Sequence, residues 1–284
     1  MTPYSKLNSQ GNDFIFVEKH LLKNELSIDA IKKYSNRSNI GCDQFFIIDA
    51  TDKKNIRCEV YNQDGTIACQ CGNGLRATML YLNIKYNLQN TNIIICENSY
   101  YAQILNNLIS VDMGLPTYIK CPVNNDKNLH LSNNGTVILV ESLSHNLKFS
   151  FIPIFIGNEH SVVFSKNCQT NKDIISNIIE NIFGHEMNVG FIENTDEFLS
   201  NDNVIINLTV NERGAGYTES CGSGATAAAI CLFTLSELHN KQSVKGDKIT
   251  IQQQGGLLEV SKNASSNSFQ LIGPSSFDGE GYLD

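Results

Sequence analysis

The chain of 284 residues carries two copies of a short glycine-rich motif, Cys71-Gly72-Asn73-Gly74 and Cys221-Gly222-Ser223-Gly224. A second matched pair, Gly11-Asn12-Asp13-Phe14 and Gly157-Asn158-Glu159-His160, precedes them in the same order. The two members of each pair lie about 150 residues apart. Matched motifs in the same order at a nearly constant offset predict two similar halves. We expect a pseudo-twofold axis that brings the equivalent motifs together at one shared site.

Local patterns around these motifs predict an α+β fold. Residues 56–61 and 204–210 have the alternation of strands, and apolar residues at helical spacing follow the first cysteine motif. Segment 225–236 has no charged residue and predicts a helix that is buried on every side. Further strands are predicted at 93–96, 102–105, 108–113, 137–141, 249–252 and 257–260. Each half is expected to be a curved mixed or antiparallel sheet wrapped around a central helix, with the active site in the interdomain cleft.

The segment 114–122 is the predicted connection between the halves, because it contains Pro116 and Pro122. We therefore expect an N-terminal lobe of residues 1–117 plus 271–284. The C-terminal lobe is expected at residues 118–270.

Composition argues against several classes of partner. The chain has 21 basic and 29 acidic residues, a net charge of -8, and no clustered basic face, so nucleic acid is not expected to bind. The polar start lacks the apolar core of a signal peptide, and no apolar run approaches the roughly 18 residues of a membrane helix. We expect a cytoplasmic protein without membrane contact, whose nine cysteines are reduced thiols.

The two cysteine motifs have the chemistry of an acid and a base. A cysteine just before a helix lies where unpaired N–H groups and the helix dipole stabilise a thiolate. The neighbouring glycines leave N–H groups open to a substrate carboxylate. Inversion of an α-carbon needs a base on one face and an acid on the other, and two facing cysteines supply both. The sequence has no dinucleotide fingerprint, P-loop or pyridoxal lysine motif, so no cofactor is predicted.

The cysteines of the two motifs could also be purely structural. A single Cys-Gly-x-Gly motif is more often a turn with a buried thiol, and the duplication is what favours catalysis. Cys69 and Cys71 could instead begin a metal or redox site, but no second closely spaced Cys or His pair lies nearby. The other cysteines are predicted to be structural: Cys42, Cys58, Cys96, Cys121, Cys168 and Cys231.

The motifs named above and three further ones show that the sequence resembles the diaminopimelate epimerase family over nearly its whole length. The further motifs are Asn62-Gln63-Asp64-Gly65, Asn188-Val189-Gly190-Phe191 and Glu212-Arg213-Gly214-Ala215-Gly216. The resemblance implies interconversion of LL- and meso-diaminopimelate in bacterial lysine and peptidoglycan precursor synthesis. It also implies a homodimer that needs neither cofactor nor metal.

The resemblance assigns roles residue by residue. Cys71 and Cys221 would be the catalytic pair, the first usually described as proton donor and the second as acceptor for one direction. His160 and Glu212 resemble residues that tune the pKa of that pair. The substrate-binding positions would be Asn12, Gln44, Asn62, Gly72, Asn73, Asn158, Asn188, Glu212, Arg213, Gly222 and Ser223.

Four positions depart from the family pattern. Glu159 stands where the family commonly has Pro, and Tyr217 where it has an acidic residue. Asn8 replaces a His, and Phe277 replaces a Tyr that is associated with the dimer contact. The departure at Glu159 bears on the pH optimum, and the one at Phe277 bears on dimerisation.

Two other functions compete with this interpretation. An isomerase resembling proline racemase or the phenazine-pathway isomerases would share the architecture. A small cyclic imino acid, however, has no distal charged end for Arg213 and the several asparagines to bind. The second competitor is a cysteine-rich zinc-binding or redox-sensing protein that uses Cys69 or Cys71.

Overall fold

The structure is a computed structural model that describes residues 1–122, 126–165, 168, 170–200, 204–239 and 248–284. The chain forms two compact units. The N-terminal unit comprises Met1–Asp112 and Ile272–Asp284, and the C-terminal unit comprises Met113–Leu271.

The helices and strands are numbered in chain order. The N-terminal unit begins with β1 (Thr2–Ser9), β2 (Asn12–Glu18), a 3-10 turn (Lys19–Leu21), α1 (Ile28–Ser35), β3 (Gln44–Asp49), β4 (Asn55–Asn62), α2 (Gly72–Tyr86), β5 (Asn90–Ile95), β6 (Asn98–Leu105) and β7 (Leu108–Asp112). Then follow β8 (Thr117–Tyr118), β9 (Leu129–Asn134), β10 (Val137–Ser142), β11 (Leu147–Phe155), β12 (Glu159–Val163), α3 (Lys172–Phe183), β13 (Asn188–Ile192), α4 (Thr195–Ser200), β14 (Ile206–Glu212), β15 (Gly216–Tyr217), α5 (Gly222–Leu238), β16 (Lys248–Gln253), β17 (Gly256–Lys262) and β18 (Phe269–Gly273). The last strand, β19 (Ser276–Leu283), returns to the N-terminal unit and pairs with β1.

The same series of strand pairings occurs once in each unit. In the N-terminal unit, β1–β2 is antiparallel, β2–β3 parallel, β3–β4 antiparallel, β4–β5 parallel and β5–β6 antiparallel. In the C-terminal unit, the corresponding pairs β11–β12, β12–β13, β13–β14, β14–β16 and β16–β17 alternate in the same way. In both, the helix that begins at the cysteine motif follows the antiparallel pair. The predicted α+β class and the similarity of the two halves are confirmed.

Strand β2 shows how the N-terminal sheet is buried on both faces. Phe14 and Phe16 alternate along it with Ile15 and Val17, and all four side chains are buried. The Phe16 ring stacks on Tyr81 of α2, with ring centroids 5.4 Å apart. Ile15 and Val17 belong to a cluster on the other side that includes residues of α1. The period of two therefore places α2 on one face of the sheet and α1 on the other.

In the C-terminal unit, β13 is buried along its whole length because helices cover both faces of the sheet. Val189 and Phe191 pack into a cluster with the isoleucines of α3. Helix α5 contacts β12, β13 and β14 and is buried on every side from 225 to 236, apart from the half-buried Thr234. The predicted central helix is therefore confirmed. Within the described ranges, no helix is both long and apolar enough to cross a membrane.

One expectation about the cysteines is wrong. Cys69 and Cys96 form a disulfide, and their Cα atoms lie 5.4 Å apart. Cys96 occupies the turn between β5 and β6 with a positive φ of 52°, which brings it to the segment just before α2. The other seven cysteines are free thiols. The expectation of reduced thiols throughout rested on composition, which carries no information about this proximity.

Candidate active site

Cys71 is the N-cap residue of α2. Its backbone is extended, with φ -156° and ψ 102°, and its sulfur accepts a hydrogen bond from the Gly74 N–H at 3.2 Å. A thiolate is favoured there because this N–H group has no carbonyl partner inside the helix and the dipole is positive at this end. Gly74 must be a glycine, since an added Cβ would lie 2.5 Å from the Phe46 ring.

The predicted amides of the N-terminal unit form two separate hydrogen-bonded groups. The Cys71 sulfur lies 3.9 Å from Asn12 Oδ1, and the Asn12 amide in turn donates to the Asp43 carboxylate at 2.9 Å. Gln44 and Asn62 face each other on β3 and β4, and their side chains are joined by a hydrogen bond of 3.0 Å. The strand register therefore pairs two of the predicted amides, while a third contacts the thiol.

Arg76 is a residue near this site that the sequence interpretation missed. Its side chain is fully buried in α2 and donates to Gln10 and Asn73, both at 3.1 Å. Among the described residues, Nε and Nη1 have no hydrogen-bond partner. Burial lowers the pKa of the guanidinium to about 10, and the negative charge on Cys71 opposes that shift. A single charge in the otherwise uncharged first turns of the helix was the available signal.

Cys221 is the N-cap residue of α5, with the same extended backbone, φ -121° and ψ 109°. Its sulfur accepts from the Gly224 N–H at 3.3 Å and lies 3.6 Å from the Ser223 hydroxyl. Burial raises the thiol pKa well above its ordinary value, and the negative charge of Glu212 raises it further. Thr218 holds that carboxylate through a short hydrogen bond. At neutral pH, Cys221 therefore retains its proton.

The backbone of Cys221 is held by a side chain that the sequence interpretation also missed. Gln253, at the end of β16, accepts from the Cys221 N–H at 2.8 Å and donates to the Cys221 carbonyl at 3.1 Å. Only 3% of the Gln253 side chain is exposed. Because 32 residues separate the two partners, no local pattern could have identified the pair.

A third group of predicted residues surrounds Arg213. Its guanidinium lies 3.5 Å from Asn158 Oδ1, and its backbone N–H donates to Asn188 Oδ1 at 3.0 Å. The Asn188 amide donates to the carbonyl of Glu159 at 2.8 Å. The side chains of Asn158 and Asn188 thus contact Arg213. Its exposed guanidinium is suited to binding a carboxylate through two parallel hydrogen bonds.

His160 is fully buried next to this group, on β12 opposite Asn188 of β13. Neither ring nitrogen has a hydrogen-bond partner among the described residues. Burial, followed by the positive charge of Arg213, lowers the pKa of the ring to about 3. His160 is therefore a neutral imidazole at physiological pH, so any influence on a thiol does not come from a positive charge on the ring.

The predicted residues are thus grouped within each unit. In the N-terminal unit, Asn12 lies at Cys71, and Gln44 pairs with Asn62. In the C-terminal unit, Glu212 and Ser223 lie at Cys221, and Arg213 joins Asn158 and Asn188. Gly72 and Gly222 are the first residues of α2 and α5, and Asn73 is buried in the first turn of α2. Across the described residues, no three His, Cys, Asp or Glu side chains are close enough to hold a metal ion.

The fold is that of known racemases and epimerases. A structure described as a predicted epimerase from Pseudomonas aeruginosa has a TM-score of 0.66 at 12% identity, covering 100% of this chain and 99% of its own. A probable proline racemase from Agrobacterium radiobacter, solved with bound carbonate, has a TM-score of 0.64 at 10% identity, covering 100% and 93%. Together with the sequence relatives that follow, this fold defines the class as an isomerase, an amino-acid racemase or epimerase.

Sequence relatives then identify the family. The diaminopimelate epimerase family model matches residues 153–277. The diaminopimelate epimerase of Wigglesworthia glossinidia brevipalpis is 31% identical over 291 residues, covering 98% of each chain. That of Legionella pneumophila strain Philadelphia 1 is 30% identical over 299 residues, covering 99% of this chain and 98% of its own. The chain belongs to the diaminopimelate epimerase family.

Proposed function

We propose that this chain interconverts LL- and meso-diaminopimelate, with Cys71 and Cys221 as the two proton-transferring groups. The observation that carries the proposal is the matched setting of the two sulfurs. Each cysteine is the N-cap residue of the helix that follows the same antiparallel strand pair, and each sulfur accepts the N–H of the glycine three residues later. In this mechanism the two sulfurs serve opposite faces of one α-carbon.

The proposed reaction needs one thiolate and one thiol at a time. The thiolate removes the α-proton, and the C–H electron pair moves into the substrate carboxylate as an enolate-like charge. The thiol then gives its proton to the opposite face, so the two sulfurs exchange protonation states and no external acid is consumed. Backbone N–H groups of the two helix starts, at Gly72, Asn73, Gly222 and Ser223, are the proposed donors to that carboxylate.

Because burial and the negative charge of Glu212 raise the pKa of Cys221 well above its ordinary value, we assign the resting thiol to Cys221. The resting chain would then remove a proton at Cys71 and deliver one from Cys221. In the reverse reaction, Cys221 would remove the proton and Cys71 would deliver one.

The distal end of the substrate gives the reaction its specificity in this proposal. Diaminopimelate has a second carboxylate and a second ammonium group far from the reacting carbon. Arg213 can bind that carboxylate in a fork, with Asn158 and Asn188 beside it. Asn12, Gln44, Asn62 and Glu212 are the remaining proposed contacts. A proline-like substrate lacks the distal end, so it would leave the Arg213 guanidinium without a partner.

The test of the reaction class is epimerisation in deuterium oxide. LL-diaminopimelate is incubated with the purified protein without added cofactor, and the products are separated by stereochemistry and analysed by mass spectrometry. We expect the meso product to carry deuterium at the inverted α-carbon, because the thiol that delivers the proton has exchanged with solvent. Inversion of proline or hydroxyproline, with none of diaminopimelate, would reject the assignment.

We further propose that the enzyme works in the cytoplasm as a homodimer in lysine and peptidoglycan precursor synthesis. The support for a dimer is a partly exposed aromatic face on β19, where Phe277 is 40% and Tyr282 is 63% exposed. Sedimentation of the purified chain measures its oligomeric state directly, and a monomer at all concentrations would reject the homodimer.

A further inference from the structure

The segment before α5 is joined to the end of the β16–β17 hairpin by three hydrogen bonds. Two connect the Gln253 side chain to both backbone polar groups of Cys221, at 2.8 and 3.1 Å. The third runs from the Gly255 N–H to the Glu219 carbonyl at 2.7 Å. The side-chain amide of Gln253 thus makes the two hydrogen bonds to Cys221 that the backbone of a neighbouring strand would make. The backbone of Gln253 itself pairs with Gly256 in the β16–β17 hairpin.

This arrangement matters because of the position of Cys221. The N–H group of an N-cap residue has no partner inside its helix, and Cys221 is only 4% exposed, so water does not readily supply one. The same residue's backbone angles direct its sulfur to the Gly224 N–H at 3.3 Å. Any rotation of the Cys221 backbone would therefore move the sulfur. Gln253 restrains that rotation through two bonds and adds no charge beside the thiol.

We propose that Gln253 is a positioning residue for the Cys221 acid/base group. It satisfies the N-cap N–H and fixes the backbone that aims the sulfur. This inference rests on the proposed function, because it concerns the role of Cys221 in proton transfer. Gln253 does not contact the reacting atoms, so its removal is expected to lower kcat for epimerisation more than it changes KM for diaminopimelate.

The first pair of variants separates positioning from a general effect on the hairpin. Gln253→Leu keeps the size of the side chain and removes both hydrogen bonds, while Gln254→Leu makes the same change at the adjacent exposed turn residue. We expect Gln253→Leu to lower kcat by roughly tenfold or more with KM within about threefold, because a small displacement of a reacting group is costly. Gln254→Leu should behave as the wild type. A kcat for Gln253→Leu within about twofold of Gln254→Leu would overturn the inference.

A second pair uses charge and remains informative where Gln253→Leu does not fold. Gln253→Glu keeps an acceptor for the Cys221 N–H and places a negative charge beside the thiol. The thiol then holds its proton to higher pH, so the alkaline limb of the kcat profile should move to higher pH. Gln254→Glu should leave that limb in place. The same alkaline limb in both Glu variants would overturn the inference, because it would show that the side chain at position 253 does not lie beside the Cys221 thiol.

A direct readout of the thiol separates this inference from the proposed function. The rate at which iodoacetamide alkylates Cys221 is followed by peptide mass spectrometry in the folded wild type, Gln253→Leu and Gln254→Leu. We expect a change of several fold in Gln253→Leu alone. An inactive wild type with this change in alkylation would reject the epimerase function and keep the positioning role of Gln253. Equal alkylation rates in all three chains would reject the positioning role.

Discussion

Burial and one neighbouring charge keep Cys221 of the proposed catalytic pair protonated. Cys221 is buried and lies beside Glu212, and both features raise its pKa, burial being the larger cause. The thiol form is what an acid needs before it donates, and the same carboxylate would make Cys221 a stronger base once it is deprotonated. Glu212 is therefore expected to do more than bind the substrate.

Replacing Glu212 by Gln should lower the pKa of Cys221, because the negative charge that opposes thiolate formation is removed. The thiol then loses its proton at lower pH, so the alkaline limb of the kcat profile should move to lower pH. The pH dependence of kcat for diaminopimelate measures this shift. Glu219→Gln, at an exposed position of the same segment, is the control. An alkaline limb that stays in place or moves upward in Glu212→Gln would contradict the assignment.

The buried His160 makes stability depend on pH in a predictable direction. Its folded pKa is about 3, below the ordinary value of 6.5, so between these values the unfolded chain binds a proton that the folded chain does not. The free energy of unfolding should therefore decrease as the pH falls from 6.5 towards 3, by at most about 1.4 kcal/mol per pH unit from this group.

Urea unfolding of the wild type and His160→Gln at neutral and mildly acidic pH tests this. The variant should lose less stability on acidification than the wild type. Identical slopes in the wild type and His160→Gln would show that the ring is not held neutral.

At the scale of elements, the two helix starts are tightly packed at Gly74 and Gly224. A Cβ on Gly224 would lie 2.9 Å from Val210 and 3.1 Å from the Cys221 sulfur. Gly224→Ala should therefore displace the sulfur and lower kcat by roughly 10- to 100-fold. Gly190→Ala is the control, because its Cβ would meet only Leu208 at an ordinary 3.4 Å. Steady-state kinetics that show equal kcat for the two variants would contradict this description of the helix start.

The Cys69–Cys96 disulfide connects the segment before α2 to the β5–β6 turn and closes a loop with a sequence separation of 27. Removing it should lower the free energy of unfolding by about 3 kcal/mol, mainly by releasing the unfolded chain. Cys96→Ser should show this loss without reductant, and the wild type should show it only with reductant. Equal stability of the wild type with and without reductant would contradict a structural role for the bond.

Elements with a strong local pattern could be predicted from the sequence. The uncharged segment of α5 and the alternating residues of β4 lie where they were expected. Strand β14 begins two residues later than predicted, at Ile206, because alternation does not define strand ends. The contacts of Gln253 and Cys96 could not be predicted, since each depends on a partner far along the chain. Helix α3 was missed although its isoleucines recur at helical spacing.

At the scale of the whole molecule, the repeated series of strand pairings gives each half one cysteine at an equivalent helix start. The repeat thus supplies two similarly placed thiols, which is the number of groups that the proposed inversion needs. The surroundings of the two thiols are not identical. Cys71 precedes the helix that contains the buried Arg76, and Cys221 lies beside Glu212. The charged residue near the thiol is therefore basic in one half and acidic in the other.

The most direct test is inversion of LL-diaminopimelate by Cys71→Ala and Cys221→Ala, beside Cys121→Ala as a control at a half-buried free thiol. Because each sulfur would serve one face of the α-carbon, each of the first two variants should lower kcat for epimerisation by roughly 100- to 10,000-fold. The control should stay within about twofold of the wild type. Near-normal formation of meso-diaminopimelate by either Cys71→Ala or Cys221→Ala would contradict the two-thiol mechanism.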